Sequence, residues 1–325
     1  MMDASKTILP AKHRACIIAV YLGKFPGWFS VWLRSCEMNP GFDFLLLTDR
    51  PNDLPFRPAN LRVEQTTLKQ LKDRFSTAVG FEVALNYAFK ICDFRPVFGL
   101  AFADLLKNND FWGHTDLDLY FGNLAAFITD EMLDKYVRLY HRGHMSLYRN
   151  DGDGNRLYRL PHPTVDYRQV FLNEDYCYFD EYLGIEKLMS HNKVPEFENN
   201  YAFADIVPRS PDFRLTRKEL NHPRQAFLFE DGRMQQVFLQ DGEIRRRDFM
   251  YVHLQKRVFP DLNPSQWRNL SRWVVTPQGF VPGGPEIWSE AELLQFNKPN
   301  YGHTIRHVWR RAKRRLNAAA SRKTS

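Results

Sequence analysis

Apolar positions along the first third of the chain fall into short continuous runs separated by helical stripes. Ala15 to Tyr21 is a continuous apolar run containing β-branched residues and bounded by Gly23 and Pro26, the pattern of a strand buried in a sheet covered on both faces. Trp28, Phe29, Trp32, Leu33 and Cys36 follow at helical spacing, Pro40-Gly41 stops that helix, and Phe42 to Thr48 forms a second apolar strand closing at Asp49. The prediction is a βαβ unit. Leu61 to Glu64 reads as a third short strand, followed by helical patterns at Leu68 to Phe75, Phe81 to Phe89 and Pro96 to Leu106, where Pro96 suits a first helical turn. A strand at Phe111 to Thr115 then delivers Asp116-Leu117-Asp118 at its carboxyl end. Beyond about Asp151 the pattern weakens, although Phe179 to Ser190 reads as a helix. Phe227 to Leu254 reads as antiparallel strands with Asp-Gly turns at Asp231-Gly232 and Asp241-Gly242, the favoured hairpin chemistry. Near the end, Ile305, Val308, Trp309, Ala312 and Leu316 make one apolar stripe on an otherwise cationic helix.

These elements predict an α/β protein: an open, twisted mixed sheet flanked by helices, with a small antiparallel β region and a C-terminal basic helix. The expected organisation is an N-terminal extension over 1–14, one catalytic domain over 15–260, a C-terminal extension over 261–300 and a basic amphipathic tail over 301–325.

Composition narrows the classes. At 325 residues, with 44% hydrophobic and 26% charged residues, the chain is long enough for a sizeable core, and 14% aromatic residues suggests stacking surfaces. The run Ala15 to Gly23 is too short to span a bilayer and lacks the small-residue cleavage site of a secretory signal. Cys16, Cys36, Cys92 and Cys177 are far apart with no CxxC pair, so a zinc site or disulfide framework is not expected and a reducing cytoplasm is. The formal net charge is +7, yet Arg306 to Ser325 alone carries eight cations and no acid. Basicity therefore belongs to the tail, and bears on where the protein sits more than on what it catalyses.

The segment Phe111 to Leu124, FWGHTDLDLYFGNL, carries the strongest chemical signal. Two carboxylates leaving a strand end suit a hard divalent cation, which would position a diphosphate and neutralise the charge it develops as a leaving group. A solvated acidic turn gives the same three letters, so the flanks matter, and here they are aromatic and glycine-rich. The ordered segments AVYLGKFPGWFSVWLRSCEMNPGFDFLLLTD, FKICDFRPVFGLAF, DFWGHTDLDLYFGNL, HRGHMSLYRN, YFDEYLG and YVHLQKR resemble a largely uncharacterised family of GT-A-like bacterial proteins associated with capsule and lipopolysaccharide biosynthesis. Together they cover most of residues 15 to 257.

The resemblance implies a GT-A, Rossmann-related fold and a glycosyltransferase with a DXD motif. It also implies a nucleotide-diphosphate sugar donor, Mn²⁺ or Mg²⁺, and a glycan or lipid-linked acceptor in surface polysaccharide synthesis. Asp116 and Asp118 match the metal motif. Tyr21, Leu22, Gly23 and Asp49 match the loops around base and ribose, and Lys90, Asp93 and Arg95 match a nucleotide-proximal element. Each has a plainer reading: Asp49 as a turn cap, Lys90 as a surface lysine. His253 ends an apolar strand with Lys256 and Arg257 behind it. An imidazole suits Mn²⁺ as a third ligand and two cations suit a diphosphate, although a lone histidine is more often structural.

Inverting transfer needs a general base, for which Asp180 and Glu181 are the candidates; acids are equally at home in a first helical turn. Asp151-Gly152-Asp153-Gly154-Asn155 mimics an EF-hand start, but Arg156 and His162 stand where Gly and Glu are required, so a turn is expected. His141 and His144 are candidates to line an acceptor pocket.

Two rivals remain in the sequence. A phosphohydrolase or phosphotransferase would use the two aspartates as nucleophile and acid, though such motifs follow the first strand rather than lying a third of the way in. A non-catalytic nucleic-acid binder would use the basic tail, but no recognition motif accompanies it and no nucleic-acid partner is expected. The tail and its apolar stripe instead suggest peripheral contact with the anionic inner face of the plasma membrane.

Overall fold

The computed structural model describes residues 12–255, 257–309 and 312. The first eleven residues of the N-terminal extension, Lys256 and nearly all of the basic tail beyond 309 lie outside the described residues. Two compact units are present, one from Met1–Phe25, Asn39–Leu117 and Ala125–Asn200, the other from Pro26–Met38, Asp118–Leu124 and Tyr201–Ser325. The stretch 15–260 expected as one domain thus contributes to both.

The first unit carries an open mixed sheet flanked by helices. Its strands are β1 (Ala15–Tyr21), β2 (Asp43–Thr48), β3 (Leu61–Gln65) and β4 (Phe111–Thr115), the last followed in the chain by β5 (Leu119–Phe121) of the other unit. β6 (Arg138–Arg142), β7 (Met145–Arg149) and β8 (Glu196–Phe197) complete the order β3-β2-β1-β4-β7-β6-β8. β1 pairs in parallel with both β2 and β4, whereas β7 runs antiparallel to β4 and β6. The all-apolar runs predicted as β1 and β2 are buried along most of their length, as a sheet covered on both faces requires.

One face of this sheet is covered by helix α2 (Leu68–Val79). Thr67 and Gln70 form a capping box at its start, and Gly80 closes it in the left-handed region at φ 88°, so the predicted helix runs a turn further than Phe75. Its Leu71, Phe75 and Val79 share a core with Cys16, Ile18, Leu45 and Leu47, and Phe75 stacks on Phe94 at 4.8 Å.

Two predicted helices give way here to other conformations. Over Phe81 to Phe89 the residues that reach the core are Val83 and Leu85, a spacing of two, and the Ala84 N–H donates to the Phe171 carbonyl. The segment is therefore extended before a 3₁₀ stretch at Ala88–Val97. Pro96 lies inside that stretch, and only Phe98–Ala101 is α-helical in the run to Leu106, with a further 3₁₀ turn at Ala103–Leu105. Likewise the helix expected from Phe179 starts only at Ile185, because Ile185 N–H turns back to the Phe179 carbonyl and Gly184 sits against the Phe179 backbone. Asp180 and Glu181 thus occupy the turn before the helix. The Asp151 to Asn155 segment is a turn, with Asp151 Oδ1 accepting from the Asp153 and Gly154 N–H groups.

The second unit holds two sheets. β5, β9 (Ala204–Asp205) and β13 (Tyr251–His253) form one in the order β5-β13-β9. The other is fully antiparallel: β10 (Gln225–Glu230), β11 (Arg233–Gln240), β12 (Glu243–Phe249), β14 (Arg272–Thr276) and β15 (Gly279–Pro282), in the order β12-β11-β10-β14-β15. Both predicted Asp-Gly turns are present, with φ 47° and 80° at Asp231-Gly232 and 52° and 78° at Asp241-Gly242, the doubly positive pair of a tight hairpin. This region is larger than expected, because residues assigned to a C-terminal extension supply β14, which pairs with β10.

Helix α1 (Phe29–Glu37) lies in sequence between parallel neighbours β1 and β2, as predicted, but it belongs to the second unit. Trp28 and Val31 join Tyr120, Phe229, Trp267 and Trp273 in that unit's core. Among the described residues no helix is long and apolar enough to cross a membrane, and the four cysteines form no disulfide.

Candidate functional site

In the first unit, the chain leaves β1 for β2 and β3 on one side and returns to the other side as β4, so the carboxyl ends of β1 and β4 form a topological switch point. Strand polarity collects loops and their polar groups there, which is why ligands of open α/β sheets bind at such places. Three candidate segments meet at this edge. Tyr21 ends β1, Asp49 follows β2, and Asp116 follows β4. The Asp49 carboxylate accepts the Gly23 N–H at 2.8 Å, and Gly23 adopts φ 101°, a conformation open to glycine without strain. Tyr21 stacks with Phe25 at 5.7 Å.

Asp116 is fixed from two sides. Its N–H donates to the His144 carbonyl at 3.1 Å, and its carboxylate accepts from Arg95. Arg95 is nearly buried and donates also to Asp180 Oδ2 at 2.8 Å and to the Gly143 carbonyl, so one guanidinium ties two of the predicted acids together. A Cβ at Gly143 would meet the Glu181 side chain as it is placed here. Asp180 is fully buried and accepts the Tyr176 hydroxyl at 3.0 Å. Burial pushes its carboxyl up to about 7, against the opposing pull of Arg95.

Lys90 and Asp93 are placed differently from the sequence expectation. Both have zero exposure and pair at 2.8 Å. The Lys90 ammonium also donates to the Val170 and Asp175 carbonyls, using all three of its protons. Asp93 accepts the Cys177 and Phe179 N–H groups, each at 2.8 Å. Lys90 is thus no surface lysine, and the pair serves to hold the chain around residues 175 to 179.

In the second unit, strand register assembles a second cluster. His253 lies opposite Leu119 of β5 and, in parallel pairing, Asp205 of β9. Leu254 N–H donates to the Asp118 carbonyl at 2.9 Å, closing β5 and β13 beside the aspartate. His253 Nε2 stands 3.4 Å from Asp118 Oδ1, and its Nδ1 is 2.9 Å from Asp205 Oδ1. Asp205 is itself held by Gln255 Nε2 at 2.8 Å and the Thr216 hydroxyl at 3.0 Å. Burial opposes the imidazolium, but the Asp118 and Asp205 carboxylates outweigh it and raise His253 to about 10.

Arg257 is 3% exposed. Its Nη2 donates to the Ser210 and Asp212 carbonyls, whereas Nε and Nη1 have no hydrogen-bond partner among the described residues. Lys256 lies outside the described residues.

The Asp118–His253 spacing would admit a divalent ion in place of the Nε2 proton. Neighbouring ligands around a small octahedral cation with bonds near 2.1 Å are about 3 Å apart, whereas 3.4 Å is at the outer limit for a hydrogen bond. The second ring nitrogen carries the carboxylate partner that metal-bound histidines typically have. Sequence reading missed Asp205, which reaches His253 across a short parallel pairing between distant segments and follows no spacing rule.

The chain belongs to a family of unknown function, DUF6625, whose model matches residues 17–283. No curated protein matches it.

Proposed function

We propose that this member of the DUF6625 family is a divalent-metal-dependent glycosyltransferase of the GT-A type. It would move a sugar from a nucleoside-diphosphate donor to a glycan or lipid-linked acceptor. The observation that carries the reading is the Asp118–His253–Asp205 arrangement, an imidazole set between one carboxylate at ligand spacing and another that orients it. Asp116 precedes Asp118 by two residues, so covalent geometry alone keeps their Cα atoms within about 7 Å. Asp116 also stands at the β1/β4 switch point, where a nucleotide is expected to lie.

In this reading Asp118 and His253 would hold Mn²⁺ or Mg²⁺, which when bound neutralises charge developing on the departing diphosphate. Tyr21, Leu22, Gly23 and Asp49 bind the nucleoside. The Arg257 Nε and Nη1, without a hydrogen-bond partner among the described residues, are donors suited to phosphate oxygens. Arg95 positions Asp116 and Asp180 relative to each other. Asp180 stays the candidate general base of this reading; it is fully buried and held by Arg95 and the Tyr176 hydroxyl, so an acceptor hydroxyl would have to displace one of these partners to reach it.

A thermal-shift screen of nucleotide sugars with and without Mn²⁺ tests the reading. Stabilisation by at least one nucleoside-diphosphate sugar that depends on the metal is expected; metal-independent or absent stabilisation across the set would remove its basis.

A further inference from the structure

Around residues 175 to 180 the first unit uses several buried charges to fix a short surface turn. Lys90 holds the Asp175 carbonyl, and Asp93 holds the N–H groups on both sides of Tyr178. Arg95 and the Tyr176 hydroxyl hold Asp180. Tyr178 itself sits at φ 59°, in the left-handed region that an aromatic residue rarely adopts, so its conformation persists because its flanks are clamped. The products of this clamping point outward. Phe89, Tyr178 and Tyr182 are 51%, 44% and 56% exposed. Ring centroids run from Phe89 to Tyr176 at 4.8 Å, Tyr176 to Tyr178 at 4.3 Å and Tyr178 to Tyr182 at 6.4 Å, a continuous aromatic ladder.

The ladder leads in two directions within the same unit. At Tyr176 it touches Asp180, which Arg95 joins to Asp116 at the end of β4. At Tyr182 it reaches an open cavity of about 590 Å³, also lined by Thr164, Glu186, Lys187, Ser190 and the rings of His162 and His191, which meet edge to face with centroids 5.0 Å apart. Apolar rings followed by hydroxyls, imidazoles, one carboxylate and one ammonium, with no excess of either charge sign, match a ligand with apolar CH faces and a hydroxyl rim, the surface chemistry of a sugar chain. An acyl chain would leave the cavity's polar groups unpaired. An anionic membrane surface would meet the exposed Glu174 and Asp175 beside the rings.

We infer that the Phe89–Tyr176–Tyr178–Tyr182 ladder and the adjoining cavity bind an oligosaccharide acceptor, with the sugar rings stacked on the tyrosines and the chain leading toward Asp180. This rests on the transferase reading for the word acceptor; the binding of an oligosaccharide does not.

The test applies the full chain to an array of immobilised oligosaccharides, alongside Tyr178→Phe, Tyr178→Gly and Tyr182→Ala. Tyr178→Phe keeps a ring, Tyr178→Gly removes it while admitting φ 59°, and Tyr182 is exposed enough for its loss to leave the fold alone. The wild type and Tyr178→Phe should retain a common subset of glycans, and the other two variants should each lose roughly tenfold or more in affinity. Affinity for a nucleoside diphosphate with Mn²⁺, measured on the same preparations, should be equal in all four. Failure of the wild type to hold any oligosaccharide would overturn the inference, as would variants that bind like the wild type. So would variants that keep glycan binding and lose retention on vesicles of anionic lipid. Tyrosine-dependent glycan binding by a protein that binds no nucleotide would uphold the ladder and overturn the transferase.

Discussion

Under the proposed function, Asp205 would set what His253 can offer a metal. With its Nδ1 bonded to that carboxylate, the imidazole is held in one orientation with Nε2 directed at Asp118, and the carboxylate increases the basicity of the ring. Replacing Asp205 by Asn keeps a hydrogen-bonding side chain but removes the charge. Asp205→Asn should weaken Mn²⁺-dependent nucleotide affinity by about 10- to 100-fold with little change in melting temperature. Titration calorimetry reads this directly, and wild-type affinity in the variant would show that His253 works without its carboxylate partner. At this scale the sequence was informative about residue types and silent about partners. Asp116, Asp118 and His253 were singled out as candidates by the strand ends that carry them. Asp205 is 48 positions from His253, and its role depends on a two-residue strand.

Elements were legible where one periodicity governed burial and obscure where two competed. β1 and β4 have the bounds their apolar runs predicted, and both Asp-Gly turns appear because their positive φ values leave few other choices. The segment Phe81 to Phe89 carries enough apolar residues to satisfy a helical reading, yet Val83 and Leu85 enter the core at strand spacing. The KICDFR segment was read for its charges when its structural use is internal: Lys90 and Asp93 clamp a neighbouring turn. Removing one member of such a buried pair leaves the other uncompensated. Asp93→Ala should therefore destabilise the protein by about 3–5 kcal/mol and expose the chain around residues 173 to 180 to proteolysis. Chemical denaturation together with mapping of the first protease cuts would check it. A loss below about 1 kcal/mol would mean that the clamp is not what holds the turn.

At the level of the whole molecule, chain order hides the division into two units, since each is assembled from three separate segments. Asp116 and Asp118 fall on either side of one such division, which the contiguous motif gives no hint of. The basic tail is a separate matter. Residues 301–309 are helical, and Ile305, Val308 and Trp309 are 68%, 57% and 62% exposed, the apolar face that docking on a membrane would use. Each cation near an anionic surface adds about 1 kcal/mol, enough in number for reversible attachment. Co-sedimentation with anionic vesicles should be lost when the chain is shortened to end at Tyr301, with neutral vesicles binding neither form. Equal binding by the full and shortened chains would reject docking through the tail.

The account as a whole turns on Asp118. Its carboxylate stands 3.4 Å from His253 and is partly exposed, so its removal should spare the fold while depriving the proposed metal site of a ligand. Calorimetric titration of the wild type and Asp118→Ala with nucleoside diphosphates, each with and without Mn²⁺, is the decisive measurement. The expected result is metal-dependent binding in the wild type and a loss of more than about a hundredfold in a variant that melts normally. Equal affinity in the two proteins, or wild-type binding indifferent to Mn²⁺, would contradict the central claim.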